Sequence, residues 1–400
     1  MRIVTVPLEE PPPLLDHNPS LVWMSEDTTL IGHGEALRVA AGFGPRRFRV
    51  AESAFAEWVD GQDVEDRVGV RGAGPVAFGS FTFDDRSAGS VLVVPEVTIG
   101  HTRGHWFVTT TGDVDPEPLL APAPWSPAET DRPRFAGASI PDIAWVEAVA
   151  QVISRIRSGE ARKVVMARDF ALWSRTRFDT RRLLERLVER FPGCFTFSVD
   201  GLIGASPELL VRSDGATVES VALAGTIGRS ADPETDELLG KQLLSSEKDL
   251  LEHRLAATSV LDALEPVTRH LEYDRHPTLR KLDNVQHLAT AFRGDLVERM
   301  SALALVERLH PTAAVGGDPT DVAVGMIREL EGMDRGRYAG PVGWMDSHGT
   351  GEFAIALRCA EISGARARLF TGAGIMSDSL PEKELEETRL KLGAMLDALG

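Results

Sequence analysis

The chain has 400 residues, 43% of them hydrophobic, with 43 basic against 60 acidic side chains and a net charge of -17. That length can bury a large core, as one big domain or two to three smaller ones, and an acidic chain without a Lys/Arg cluster argues against a nucleic-acid or anionic-membrane partner. No run approaches the roughly eighteen apolar residues of a membrane span, and Met1-Arg2-Ile3-Val4-Thr5-Val6-Pro7 lacks the pattern of a secretion signal, so a soluble cytoplasmic protein is expected.

The first third reads as strands joined by glycine turns: Thr29 to Gly34, Val76 to Phe83, Val91 to Ile99 and Trp106 to Thr111 are all enriched in β-branched or aromatic residues. A stretch containing Pro116, Pro118, Pro122, Pro124, Pro127 and Pro133 follows and reads as an irregular surface connection. Beyond it, Trp145, Val149, Val152, Ile153 and Ile156 recur with helical period, Gly159 supplies a stop, and Lys163-Val164-Val165-Met166-Ala167-Arg168 follows as a strand. A second helix buries Leu184, Leu187, Val188 and Phe191. Cys194 to Val199 and Leu202 to Arg212 then form a hairpin about the turn dipeptide Asp200-Gly201.

A helical region starts at Asp232-Pro233-Glu234, breaks near Ser245-Ser246 and resumes with Ser246 as cap, carrying Glu252 and His253. Val285 to Thr290 and Phe353 to Arg358 read as strands, with Val322 to Leu330 a helix between them. Cys194 and Cys359 sit in apolar strand-like runs; two cysteines make no disulfide framework or metal cluster, and both read as core residues. The balance is α+β, with strands enough for large packed sheets and helices outside.

The C-terminal segment carries the densest chemistry. Thr371 to Ile375 reads as a strand ending in glycines, and the helix after it is signalled by Ser379 and Glu382 in capping-box spacing with Pro381 in the first turn. Leu385, Leu392, Met395, Leu396 and Leu399 form its buried stripe. Glu384, Glu387 and Lys391, at i, i+3 and i+7, share another face, which could hold a metal and an anion. Taken alone, such a stripe also reads as a solvated face laced with ion pairs worth about 0.3 to 0.5 kcal/mol each. Only six basic residues are lysine, at 163, 241, 248, 281, 383 and 391. A position that keeps lysine in an arginine-rich chain can use an amine able to give up its proton, which arginine cannot.

The strings Lys163 to Arg168, Gly204-Ala205-Ser206-Pro207-Glu208-Leu209-Leu210, Leu223-Ala224-Gly225-Thr226, Glu252-His253, Val285-Gln286-His287-Leu288, His310-Pro311-Thr312, Gly372-Ala373-Gly374-Ile375 and Pro381-Glu382…Glu386-Glu387-Thr388 occur together in this order. In this the chain resembles the isochorismate synthases, chorismate-utilising enzymes related to salicylate and anthranilate synthases. The likeness is strong from about residue 140 to 395 and weak before it. It implies one α+β domain of two large packed β-sheets flanked by helices, spanning 1–400: a β-rich half (1–115), the proline-rich connection (116–138) and a catalytic region (139–400).

The resemblance implies chorismate as substrate and Mg²⁺ as cofactor, in a monomer with no nucleic-acid or membrane partner. Lys163 would be the base that activates water, and Glu208 the acid that protonates the departing hydroxyl and must stay neutral near pH 7, a state its neighbours Leu209 and Leu210 favour. Glu252 and Glu387 would be the magnesium ligands, and Glu384, one turn before Glu387, would hold a metal-bound water. Gly225, Thr226, His287, Tyr338, Arg358, Gly372 and Lys391 match substrate-binding positions, the guanidinium suiting a carboxylate. His253 is either a structural histidine or a ligand.

Anthranilate synthases typically have Gln where Lys163 stands, and aminodeoxychorismate synthases have Lys where Ala224 stands. Salicylate synthases share Lys163 and Glu208 but usually lack the His310-Pro311-Thr312 string. Isochorismate synthase is therefore the leading expectation, with a salicylate synthase or a catalytically silent chorismate-binding protein as alternatives. An unrelated metal-dependent hydrolase finds no phosphate-cradling glycine loop or paired-histidine motif to support it. The chain departs from the family at Ala313, where proline is common, and at Gly316-Gly317-Asp318, which replaces a more apolar turn.

Overall fold

A computed structural model describes residues 1–124, 132–283 and 285–399. Among these the strands assemble into a thirteen-stranded and a ten-stranded sheet, with helices packed against them, as the α+β expectation requires. Apolar side chains of both sheets, including Trp23, Phe78, Phe81, Phe197, Trp344 and Phe353, are fully enclosed in one continuous core. Both halves of the chain contribute to both sheets. Leu21–Met24 pairs with Phe195–Val199 in the larger sheet, and Val76–Ser80 pairs with Pro341–Asp346 in the smaller one. No helix among the described residues is long and apolar enough to cross a membrane.

Much of the local reading stands. Asp200 and Gly201, with φ of 50° and 80°, make a two-residue hairpin turn between Phe195–Val199 and Leu202–Ser206. The helical region breaks where expected, into Pro233–Ser245 and Glu247–Leu264, and Ser246 Oγ caps the second helix by accepting from Asp249 N–H. Both cysteines are free and buried.

Two apolar runs expected as single strands are each two, and a third, Phe353 to Arg358, leaves its strand at Ile355. Val91–Val94 lies in the smaller sheet and Val97–Thr102 in the larger, with Pro95 between them. Leu202–Ser206 lies in the larger sheet and Leu209–Ser213 in the smaller, the chain crossing at Pro207-Glu208. Gly351–Ile355 ends in the smaller sheet and Cys359–Ser363 continues in the larger, crossing through Arg358 at a φ of 47°. Strands buried on both faces read as continuous apolar runs, so hydropathy does not mark a change of sheet. A proline, which cannot donate to a ladder, does mark two of the three.

Smaller expectations are corrected too. The proline-rich connection holds a short helix, Glu117–Leu120, and an edge strand, Arg134–Gly137, paired with Lys163–Trp173; Pro127 falls outside the described residues. Val188 and Leu396, expected in buried stripes, are exposed at the margins of their helices. Ser379 Oγ accepts from Met376 N–H, turning back to the preceding loop, and the helix Pro381–Leu399 begins with the Leu380 carbonyl accepting from Lys383 and Glu384.

Candidate active site

Lys163 opens the strand Lys163–Trp173 and is fully enclosed, a placement that costs an ammonium its hydration unless an opposite charge stands near. Its Nζ lies 3.1 Å from Glu252 Oε1, on the helix Glu247–Leu264. The approach lacks directed hydrogen-bond geometry, so Nζ keeps its hydrogen-bonding capacity unspent. Glycine on either side makes this contact possible. A Cβ at Gly374, on the neighbouring strand Arg366–Ile375, would overlap the Glu252 carboxylate, and one at Gly317 would overlap the Lys163 carbonyl. The family departure at Gly316-Gly317-Asp318 therefore packs on the backbone of Lys163, through the register Lys163↔Asp318 and Val164↔Gly317.

Glu208 and Arg358 occupy two of the three crossovers between sheets described above, and the pairings of Leu202–Ser206 with Cys359–Ser363 and of Leu209–Ser213 with Gly351–Ile355 bring those two side by side. Glu208 is buried and accepts from Leu223 N–H at 3.3 Å. Burial pushes its carboxyl up to about 7, against the pull of the Leu223 N–H and of the charges on Lys163, Arg358 and Lys391. Arg358 Nη2 stands 3.3 Å from His287 Nε2, and His287 Nδ1 stands 3.0 Å from Thr226 Oγ1. Gly225, at a φ of 75°, forms a bulge where Thr217–Gly228 pairs with Val285–Leu296 and brings Thr226 opposite His287. Tyr338 is buried with its ring stacked on Phe370, and burial keeps its phenol protonated well above its ordinary range. A Cβ on Gly372 would sit 3.2 Å from Tyr338 Oη, so glycine gives the phenol room.

Of the stripe on the C-terminal helix, Lys391 lines a cavity shared with Glu208 and Arg358. Glu387 pairs with Lys391, whose Nζ also donates to the Gly372 carbonyl at 3.2 Å; Glu384, buried, accepts from Lys248 Nζ at 3.0 Å. Lys163, Lys391 and Lys248, half of the chain's lysines, thus each stand on one of the three glutamates. The charges of Glu252 and Glu387 both reach Asp249, whose carboxyl is raised first by burial and then by them. Among the described residues no three His, Cys, Asp or Glu side chains gather closely enough to cage a metal. His253 is buried, its Nε2 bonds Thr290 Oγ1 at 2.8 Å, and burial lowers its pKa to about 4.

All of the expected substrate residues and Glu208 therefore gather around one cavity, of about 70 Å³, that Glu208, Thr226, His287, Tyr338, Arg358 and Lys391 help to line, while Lys163 lies behind Glu252 of its wall. Larger hollows of about 610 and 660 Å³ open elsewhere and contain none of them.

Sequence reasoning missed Arg335, Glu331, Lys248, Asp249 and the role of Gly374. Arg335 and Glu331 form an enclosed pair behind the base strand: Arg335 donates to the carbonyls of Val165 at 2.7 Å and Val315 at 2.9 Å, while Glu331 accepts from Ala167 N–H at 2.8 Å. The only local signal is an i,i+4 Glu/Arg spacing, which reads as a solvated surface pair.

Known proteins resemble this chain in sequence and in fold. The pattern of the chorismate binding enzyme family matches residues 16–400. Isochorismate synthase MenF of Bacillus subtilis is 36% identical over 362 residues, covering 84% of this chain and 77% of the relative. Isochorismate synthase DhbC of the same organism is 41% identical over 264 residues, covering 63% of this chain and 66% of the relative. The fold superposes on MenF, the menaquinone-specific isochorismate synthase from Escherichia coli, with a TM-score of 0.83 at 24% identity, over 100% of this chain and 94% of that one. A match spanning nearly the whole sequence, on a fold of the same kind, makes this chain a member of the chorismate-binding enzyme family.

Proposed function

We propose that the protein is an isochorismate synthase, converting chorismate to isochorismate by adding water beside the carboxylate-bearing ring carbon while the hydroxyl leaves from the far end of the diene. The observation that carries this reading is a cavity lined both by Glu208, whose buried carboxyl is raised to about 7, and by Glu252, whose carboxylate stands 3.1 Å from the enclosed Nζ of Lys163.

In the proposed step Lys163 Nζ takes a proton from water as its oxygen bonds to the ring carbon. The diene electrons shift, and the departing hydroxyl leaves as water with the proton of Glu208. One water enters and one leaves, so the product is an isomer. General acid–base catalysis of this kind is typically worth about 10² to 10⁴ in rate. Arg358, Thr226, Tyr338 and Lys391 supply donors for the substrate's two carboxylates, and Gly225 and Gly372 allow backbone to approach it.

Glu252 and Glu387 fit Mg²⁺ by donor chemistry, since this ion takes oxygen ligands and commonly uses one or two protein carboxylates, the remainder coming from substrate and water. A protein cage of three groups is then unnecessary, consistent with the arrangement described. Glu384 would steady a coordinated water. When bound, the ion would neutralise the ring carboxylate against two glutamates that otherwise repel it. The protein is read as a monomer of the cytoplasm.

Incubating the purified protein with chorismate and Mg²⁺ and separating products by chromatography with mass detection tests the reading. The expected result is a product of unchanged mass. Stoichiometric pyruvate release would assign a salicylate synthase instead, and unconverted chorismate would reject the enzyme.

A further inference from the structure

His287 matches a substrate-binding position, yet both of its ring nitrogens face protein groups. Thr226 and His287 are directly opposite across an antiparallel pair, a register created by the bulge at Gly225, with Thr226 Oγ1 3.0 Å from Nδ1. On the other side Arg358 Nη2 lies 3.3 Å from Nε2. A guanidinium has donors only, so Nε2 must be the acceptor in that contact and carry no hydrogen. A neutral imidazole has one N–H, which then resides on Nδ1 and points to Thr226 Oγ1, beside the Gly225 carbonyl. Thr226 Oγ1 thereby becomes an acceptor toward the ring, and its own hydrogen is left to bond elsewhere. Thr226 lines the cavity together with Arg358.

We infer that His287 is a positioning residue: a neutral imidazole, protonated on Nδ1, that fixes the Arg358 guanidinium with one nitrogen and orients the Thr226 hydroxyl as a donor into the cavity with the other. The assignment deepens the chorismate reading and rests on it for the identity of the anion those two donors meet. A donor held in place before binding loses less freedom on binding, so the effect belongs to affinity for the anion more than to the chemical step. The buried ring stays uncharged for the same reason that its position is useful: burial and the neighbouring Arg358 and Lys391 hold its pKa well below the ordinary value.

Long-range ¹H–¹⁵N correlation spectra of the intact protein labelled at histidine read the tautomer without substrate. A hydrogen on Nδ1 and none on Nε2 at pH 7 is expected; the Nε2–H form or an imidazolium would overturn the assignment. Kinetics supply the second readout. H287Q brings an amide oxygen to the Nε2 position and should raise KM about threefold, whereas H287N reaches only the Nδ1 position and should raise it about thirtyfold, with kcat within threefold in both. Equal KM values in the two variants, or a hundredfold kcat loss at unchanged KM in H287Q, would overturn it. If the wild-type protein leaves chorismate unconverted, the proposed function fails while the spectra still decide the tautomer.

Discussion

The carboxylates in and beside the cavity are treated in opposite ways. On one side Glu252, Glu384 and Glu387 each stand against a lysine, and on the other Glu208 lies among apolar strands with a single backbone N–H bonding its carboxyl. An adjacent cation offsets the cost of burying a charge, and its absence leaves protonation as the cheaper course. The contrast sorts four glutamates into two trades: the paired ones are anions that can take a cation, and the unpaired one is an acid that can give a proton. Lys163 belongs to the first set by its partner Glu252, and its charge also acts on Glu208.

The largest effect should come from breaking this division at its centre. Lys163→Ala and Glu208→Gln are each expected to lower kcat by about 10² to 10⁴, the usual worth of general acid–base catalysis. Far-UV circular dichroism should stay that of the wild type for Glu208→Gln, which preserves shape, and rates for Lys163→Ala, which leaves the Glu252 carboxylate without its ammonium, are compared per folded protein. Isochorismate formation at wild-type rate in either variant would strip that residue of its role.

A second test reads the same asymmetry through stability. Raising the Glu208 carboxyl from 4.5 to about 7 costs its ionised form about 3 kcal/mol. The folded-state value is the higher one, so the stability it contributes is complete below pH 4.5 and is lost as the pH climbs through about 7. Glutamine does not titrate. Between pH 4.5 and 8 the Glu208→Gln variant should therefore gain about 3 kcal/mol relative to wild type in urea unfolding. A difference that stays flat over that interval would mean the carboxyl is not held neutral by burial. Activity of the wild type should likewise decline above about pH 7 as the acid is lost.

The division was partly legible before any fold was known. Ordered strings located Lys163, Glu208, Glu252 and Glu387, the resemblance they carry pointed to Arg358, and helical spacing showed that Glu384, Glu387 and Lys391 share a face. Hydropathy did not show that Glu208 and Arg358 sit where the chain changes sheets, since the runs that contain them are apolar on both sides of the crossing. Nor did it show which lysine meets which glutamate. Lys248 and Glu384 lie 136 residues apart and meet only in the folded chain, and Arg335 acts on a strand 170 residues away. Local pattern encodes the period of one element; the partner across a cavity is set by tertiary packing, which period does not carry. The glycines follow the same rule. Gly374 looked like a turn residue, yet its lack of a Cβ is what lets the Glu252 carboxylate approach Lys163.

The smallest expected effect concerns the pair that reading missed. Lys248 is about one third exposed while Glu384 is almost fully enclosed, so the ion pair is neither a solvated surface contact nor a dry one. Exposed pairs contribute up to about 1 kcal/mol and truncating one side of a buried pair costs about 3 to 5, which puts Lys248→Met between them, at about 1 to 2 kcal/mol. Most of that cost is the carboxylate left without its ammonium. Removing both charges in Lys248→Met/Glu384→Gln should therefore recover about half or more of the loss, and a double-mutant cycle in urea isolates the coupling. Additive losses would show that Glu384 is stabilised by its other neighbours, and the paired set would then consist of Glu252 and Glu387 alone.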